Sequence, residues 1–350
     1  MLISYVFLLN FVSERIKSLK MLKDDVLNII YWEEDFISGE AISRKLGVSR
    51  AAVNSAVKAL RDEGYEITSS TNKGYLLTKS PDILTKGSVS VHLPGSISEK
   101  VHVFDSVDST NDVLKDMARK RAPSGTVVIS DCQTGGKGRR GRSFASPKGV
   151  GIYFSYLFKP ESGFDKISNL TSWTAIAVSD AIYNAYGIDS QVKWVNDLLM
   201  NRKKICGILT EVTVEAESGL IDNCIIGIGI NVNETSFPDE ISQIATSISI
   251  ENGGKTFDRS KLAAELIKAM GDLVYRWPDD EYYLNRYRQS NVTVGSRIVA
   301  FPQLAENSEG RSGTAIAINE DFTLKVKFDD GSVSDLRSGE VSVRGLYGYT

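Results

Sequence analysis

Apolar residues recur at helical spacing early in the chain and at alternate positions late, with a mixed region between. Val26, Ile29 and Ile30 mark a first helix. Ser38 is placed to cap a second, whose inward face holds Ala41, Ile42 and Leu46. The turn Gly47-Val48-Ser49 leads to a third helix burying Val53, Val57 and Leu60 and stopping at Gly64. Two short strands, 65–68 and 75–78, flank the loop 69–74. Residues 81–100 carry Pro81, Gly87, Pro94, Gly95 and several serines, and read as a linker. From 101 a strand precedes Ser109-x-x-Asp112, a capping pattern that opens a helix with Val113, Leu114, Met117 and Ala118 on one side. Thr126–Ser130 reads as a buried strand, and Leu170, Trp173, Ala177 and Ala181 mark a long helix ending near Gly187. Strand-like runs at 206–214 and 224–232 follow, then helices at about 260–275 and 279–289. So few helices separate the strands that a mixed, largely antiparallel sheet is predicted, with helices packed on one side. Beyond Val292 short alternating strands predict a small β-barrel.

The predicted class is α+β, with an N-terminal extension (1–22), a small helical domain closed by a hairpin (23–80), the linker (81–100), a mixed-sheet domain (101–290) and the C-terminal barrel (291–350). Helix, helix, tight turn, helix, hairpin is a winged helix-turn-helix pattern, which would set the third helix in a DNA major groove. Its outward side offers Arg50, Asn54, Ser55, Lys58 and Arg61, types that contact phosphates and base edges. From Met21 to Ser80, however, 8 Lys and Arg face 9 Asp and Glu, so charge alone leaves DNA and protein as partners on equal terms.

Composition narrows the chemistry. A net charge of −3 over 350 residues does not mark a polyanion binder as a whole, so any nucleic-acid contact must be local. Three cysteines without a CxxC pair argue against a disulfide framework or zinc site and point to a reducing cytosol. Two histidines, His92 and His102, leave little room for His-based metal sites or nucleophile activation. No stretch approaches a membrane span, and Met1–Val12 is apolar but short, without a basic n-region or cleavage site. A helical extension is expected there, with Met21 an alternative start.

The segment Gln133-Thr134-Gly135-Gly136-Lys137-Gly138-Arg139-Arg140-Gly141-Arg142 holds four cations and four glycines in positions 135–142. Glycines let backbone N–H groups approach a ligand, and the cations neutralise its charge. Gly136-x-Gly138-x-x-Gly141 fits the dinucleotide-binding expression by letter. Phe144-Ala145-Ser146-Pro147 and then a strand follow, where that expression needs a helix. Gly254-Lys255-Thr256 imitates a P-loop, but Ser249 stands where its first glycine belongs. Lys193-Trp194-Val195-Asn196-Asp197 puts a lone cation at a strand end. The apolar runs 204–211 and 226–231 carry Gly207, Gly227 and Gly229 where side chains would normally pack. The combination implies an anionic, partly apolar ligand against a sheet.

These motifs, with Ser109-Thr110-Asn111, Ser146-Pro147-x-Gly149, Lys204-x-x-Gly207-Ile208-Leu209-x-Glu211 and Gly227-x-Gly229-x-Asn231, occur in an order that resembles the biotin–protein ligase family over residues 21–350. The preceding winged helix is similar to that of its biotin-operon-repressor form. The resemblance implies a class II synthetase-like central domain and an SH3-like C-terminal one. It implies that biotin and ATP form biotinyl-5′-AMP and pyrophosphate, after which a lysine of a biotin carboxyl carrier protein, of acetyl-CoA or pyruvate carboxylase, attacks the anhydride. Carried over by motif, Lys193 and Arg139 would be catalytic. Biotin would meet Ser109, Thr110, Asn111, Gln133, Lys137, Gly138, Arg139, Lys193 and Gly207. Arg139, Arg140, Arg142, Phe144, Asn196 and Asn231 would hold ATP or the adenylate, and Asp197 would hold Mg²⁺. Arg50, Asn54, Lys58 and Arg61 would meet operator DNA of biotin genes as part of a homodimer, in the cytoplasm and away from any membrane. Two departures stand out: Lys137 where arginine is usual, and Val195 where proline is usual. The alternatives are lipoate–protein ligase and a ligase whose winged helix binds nothing.

Overall fold

A computed structural model describes residues 21–161, 164–215, 217, 219–302, 310–337 and 341–345. The extension expected before residue 21 lies outside these. The chain divides between Glu99 and Lys100 into two compact units.

The first unit holds helix α1 (residues 21–30), α2 (Gly39–Leu46), α3 (Arg50–Asp62) and the hairpin β1 (Glu66–Ser70) and β2 (Gly74–Lys79). Both caps form as the sequence predicts: Ser38 accepts from the Ala41 N–H and Ser49 from the Ala52 N–H. Val26, Ile30, Ile42, Val53, Val57 and Leu60 make the core. Gly74 is required in the wing, since its φ is +110° and a β-carbon would collide with the Ile37 carbonyl. The stretch 81–100, read as a linker, instead carries α4 (Lys86–Ser90) and α5 (Gly95–Ser98). Thr85 and Ser88 form a reciprocal capping box there, and Val89 and Val91 are buried.

In the second unit the order is β3 (Val101–Phe104), α6 (Thr110–Arg119), β4 (Val127–Ser130), β5 (Gly151–Phe158), α7 (Leu170–Tyr186), β6 (Gln191–Lys193), β7 (Asp197–Met200), β8 (Lys203–Val214), β9 (Ile221–Asn231), α8 (Asp239–Ser242), α9 (Ile248–Glu251), α10 (Arg259–Arg276) and α11 (Glu281–Ser290). Seven strands form one sheet in the order β3-β4-β5-β9-β8-β7-β6, parallel only at β3–β4. The largely antiparallel sheet was predicted; helices on one side only were not found. Leu157 of β5 packs with Leu114 and Ala118 of α6, whereas its neighbour Phe158 meets Trp277 just after α10, which in turn meets Trp173 of α7. Adjacent residues of a strand point to opposite faces, so both faces are covered, as the unbroken burial of β5 requires.

The C-terminal strands β10 (Arg297–Pro302), β11 (Arg311–Ile318), β12 (Leu324–Phe328), β13 (Val333–Leu336) and β14 (Val341–Gly345) form an antiparallel sheet ordered β13-β12-β11-β10-β14. It buttresses the 194–197 turn: the Trp194 N–H donates to Thr293 Oγ1 (2.9 Å) and the indole N–H to the Phe322 carbonyl (3.0 Å). Among the described residues no helix is long and apolar enough to cross a membrane.

Candidate active site

A cavity opens on the face of the central sheet that carries α6. Ser109, Thr110, Asn111, Gln133, Lys137, Gly138, Arg139, Phe144, Asn196 and Gly207 line it, together with Phe154, Lys204, Ile208, Leu209, Gly227, Ile228 and Gly229. The two sequence-distant halves meet because β9 pairs with both β5 and β8, bringing Gly229 opposite Gly207 and Gly227 opposite Ser155.

One end of the cavity is polar and buried. Gln133 Oε1 accepts from the Thr110 N–H (2.9 Å) and lies 3.1 Å from Thr110 Oγ1, while its amide N–H donates to Ser146 Oγ (2.9 Å). Behind it, Ser155 Oγ sits 2.8 Å from Thr110 Oγ1 and 2.6 Å from Asn111 Oδ1. Asn111 donates in turn to Glu211 (2.7 Å), which Lys115 also holds (2.6 Å). Ser155 and Glu211 were not singled out as site residues from the sequence. The available signals were one serine in the otherwise apolar run of β5 and the place of Glu211 at the end of the 204–211 motif.

The middle is apolar. The Phe144 ring lies over Gly229 and the Lys204 side chain over Gly207, so these strand glycines are explained by neighbouring side chains rather than by a ligand alone. Gly227 has the same origin, since a β-carbon there would strike the Asn111 amide.

The other end is cationic. Arg139 donates to Asn196 Oδ1 (2.8 Å), and Lys204 pairs with Asp197 (2.7 Å). Burial pulls the Arg139 guanidinium below its ordinary range. Lys193, 8% exposed, is not among the lining residues. Burial pushes its ammonium down to about 8, against the attraction of Asp197 and with help from Lys204 and Arg142. Arg140 and Arg142 are exposed on the loop and do not line the cavity; Arg140 has a left-handed backbone, φ +61°. Asn231 lies at the far end of β9, its amide donating to the Thr246 carbonyl (3.0 Å), so it too is outside the lining set. Lys137, the first departure, bonds Asp112 (2.7 Å) above the start of α6. The second departure lies in a cis peptide, Trp194–Val195.

In the first unit Arg50 and Asn54 line a groove with Ser38, Gly39 and wing residues 69–72, and Lys58 is exposed. Arg61 behaves differently from the outward role expected of it. Its guanidinium donates to the Ile67 carbonyl (2.6 and 3.0 Å) and to Ser69 Oγ (2.6 Å), tying α3 to the wing. It stands on the last turn of α3, beside β1, which explains the difference.

Residues 103–231 match the biotin/lipoate A/B protein ligase family, and residues 23–76 match an HTH domain. The chain is 41% identical over 236 residues to the bifunctional ligase/repressor BirA of Bacillus spizizenii, covering 67% of this chain and 72% of that protein. It is 28% identical over 312 residues to the Escherichia coli bifunctional ligase/repressor BirA, covering 89% and 94%. The solved biotin protein ligase from Aquifex aeolicus, in complex with biotin and ATP, aligns with a TM-score of 0.60 at 28% identity, over 70% of this chain and 98% of that one.

Proposed function

The chain belongs to the biotin/lipoate A/B protein ligase family, in its bifunctional ligase/repressor branch, and from that premise we propose how its own residues carry the reaction. Biotin and ATP are the substrates of this ligase, a biotin carrier protein receives the biotin, and the helix-turn-helix domain serves repression at operator DNA. The bicyclic head of biotin enters the buried polar end, where Thr110 and Gln133 meet its ureido group. Its apolar chain runs along the glycine-bearing strands toward the cations.

The chemical demand is that a carboxylate attack an α-phosphate although both are anionic. Arg139, Lys193 and Lys204 answer it, with Arg140 and Arg142 closing over the adenylate from the loop and Phe144 stacking on adenine. The observation that carries this reading is the gradient along one cavity, from a buried hydrogen-bonding end through an apolar floor to Arg139 and Lys204.

Mg²⁺ belongs in the proposal as part of the nucleotide substrate. Among the described residues no group of three His, Cys, Asp or Glu is arranged to hold a metal. Asp197, the expected ligand, is engaged by Lys204 (2.7 Å) and by the Asn196 amide (3.1 Å), so it does not fit that role here. Asn231, turned to Thr246, is not needed for the nucleotide in this reading. The carrier belongs to acetyl-CoA carboxylase or pyruvate carboxylase, and a homodimer occupies the operator of biotin genes in a reducing cytoplasm, a setting the three free cysteines fit.

The test is to incubate the protein with labelled biotin, MgATP and an apo biotin carrier domain. Label held in an amide on the carrier lysine is expected, with pyrophosphate released in the activation step and AMP in the transfer. An unlabelled carrier that another biotin ligase does label would overturn the reading.

A further inference from the structure

Phe322 stands at the tip of the β11–β12 hairpin with φ +59°, the one aromatic residue in the left-handed region among the described residues. A bulky side chain is costly there, and glycine or asparagine would serve such a turn more cheaply. The turn's own polar groups impose the conformation. Asp321 accepts from the Thr323 N–H (3.2 Å) and hydroxyl (2.6 Å), and the Asn319 amide donates to Thr323 Oγ1 (2.9 Å). Strain held in this way points to a use for the residue that bears it.

Both halves of Phe322 support the 194–197 turn. Its carbonyl accepts from the Trp194 indole N–H (3.0 Å), and its buried ring packs edge-on against Tyr287, with centroids 5.4 Å apart. Tyr287 is itself fully buried on α11, and its hydroxyl reaches the Val195 carbonyl (3.4 Å). Arg288, the next residue, donates to the Ile318 carbonyl (3.0 Å) and ties α11 to the same hairpin. On its other side the turn meets β8. The Ile208 N–H donates to the Asn196 carbonyl (3.0 Å), and the Asn196 amide donates to the Ile208 carbonyl (3.2 Å) and to Asp197 (3.1 Å). With its NH₂ engaged, Asn196 presents Oδ1 to the Arg139 guanidinium (2.8 Å). The hairpin tip thus sets how the turn sits against β8, and the turn sets where Arg139 stands at the cavity.

We propose that Phe322 is a positioning residue for adenylate formation, seating the 194–197 turn through Trp194 and Tyr287 so that Asn196 holds Arg139 where two anions meet. The proposal rests on reading the cationic end of the cavity as that meeting place. A small displacement of a guanidinium lowers turnover steeply, because its field must act on charge that develops in the transition state. Biotin binding has a different origin in this reading. Its head lies at the opposite end, on Gln133 and Thr110, which none of these contacts reaches.

The experiment measures kcat for biotin-dependent pyrophosphate exchange, beside calorimetric binding of biotin without ATP, on the full chain and well below every melting temperature. Phe322→Gly suits the backbone, keeps the carbonyl and removes only the ring. Trp194→Phe keeps a ring and removes the indole N–H. In each, exchange kcat should fall about ten-fold or more while the biotin Kd stays within about two-fold. Val326→Ala, in the buried middle of β12, controls for mere loss of stability. It should lower the melting temperature and leave kcat within about two-fold of wild type. Wild-type kcat in either Phe322→Gly or Trp194→Phe overturns the proposal. So does an equal kcat loss in Val326→Ala, or a biotin Kd that weakens in step with kcat. If Phe322→Gly does not fold, Trp194→Phe against Val326→Ala decides by the same criteria. A wild-type protein that neither binds biotin nor exchanges pyrophosphate overturns the reading of the cavity itself.

Discussion

The ring of Phe144 rests on Gly229, with a β-carbon at that position lying 2.6 Å from its Cε1. The strand therefore has no side chain there because a loop residue thirteen places past Asp131 occupies the space, on the same face as Gly207. The backbone of Gly229 is not among the positive-φ glycines, so alanine strains nothing locally. Gly229→Ala should leave the fold intact and push the ring off the sheet. With overpacking costs of about 1–3 kcal/mol, adenylate formation should fall about ten-fold or more. Pyrophosphate exchange beside a thermal melt checks this, and an unchanged exchange rate would mean that the seat of the ring is irrelevant to turnover.

Lys193 yields two pH predictions of opposite sense. Its ammonium is charged below about 8 in the free protein, and only the charged form can screen two anions. Adenylation measured as kcat/KM should therefore decline as pH rises through about 8, and Lys193→Ala should nearly abolish it at every pH. Stability runs the other way. A lysine whose folded value lies below its ordinary 10.5 costs stability wherever it must stay charged, an effect complete below about 8 and relieved as pH climbs toward 10.5. Lys193→Met should be more stable than wild type at pH 7, by on the order of 3 kcal/mol at most, and the gap should close at high pH. Denaturant melts across that range decide it; a constant gap would remove the charge from the explanation.

How much of this was legible in the sequence depended on whether a signal was local. The caps Ser38 and Ser49 and the apolar spacing of α3 depend on residues within one turn of each other, and they formed as read. The cationic glycine loop was conspicuous because neither a core nor a turn requires such a run. The misread stretch 81–100 failed for a related reason: among residues that usually mark a linker, Ser88 pairs with Thr85 to cap a short helix, and the apolar Val89 and Val91 beside them were the outweighed signal. Non-local facts stayed hidden. Arg61 turns to the wing because the hairpin folds back beside the last turn of α3, and Asn231 faces Thr246 across a connection. Ser155 meets Asn111 across forty-four positions of chain, a pairing that no periodicity announces.

Arg259 is 1% exposed and donates to Asp131 (2.6 Å) and to the Gly151 carbonyl (3.1 Å). Asp131 and Gly151 flank the whole segment that carries the cationic loop, so one guanidinium clamps both of its ends. Arg259→Met would strand a buried carboxylate and should cost about 3–5 kcal/mol. Adding Asp131→Asn should recover part of that loss, since the uncompensated charge goes with it. Chemical denaturation of the single and double variants measures both steps, and a double variant no better than Arg259→Met alone would assign the cost to lost packing.

The two arginines of α3 should separate cleanly on DNA. Arg50 is exposed at the start of the helix and lines the groove with Asn54, whereas the Arg61 guanidinium is spent on the Ile67 carbonyl and Ser69. A side chain that meets a phosphate releases counterions, so its loss lowers the salt dependence of binding as well as the affinity. A side chain that only holds the wing in place changes affinity and leaves the salt dependence alone. Arg50→Ala should therefore reduce the slope of log affinity against log salt by about 1 for each half-site contacted. Arg61→Ala should weaken binding through a loosened wing, with the slope unchanged, and should speed hydrogen exchange in β1 and β2. Affinities measured across a salt series on a biotin-operon fragment distinguish the two. A slope that falls in Arg61→Ala as it does in Arg50→Ala would return Arg61 to the DNA-contacting set and leave the wing to hold itself.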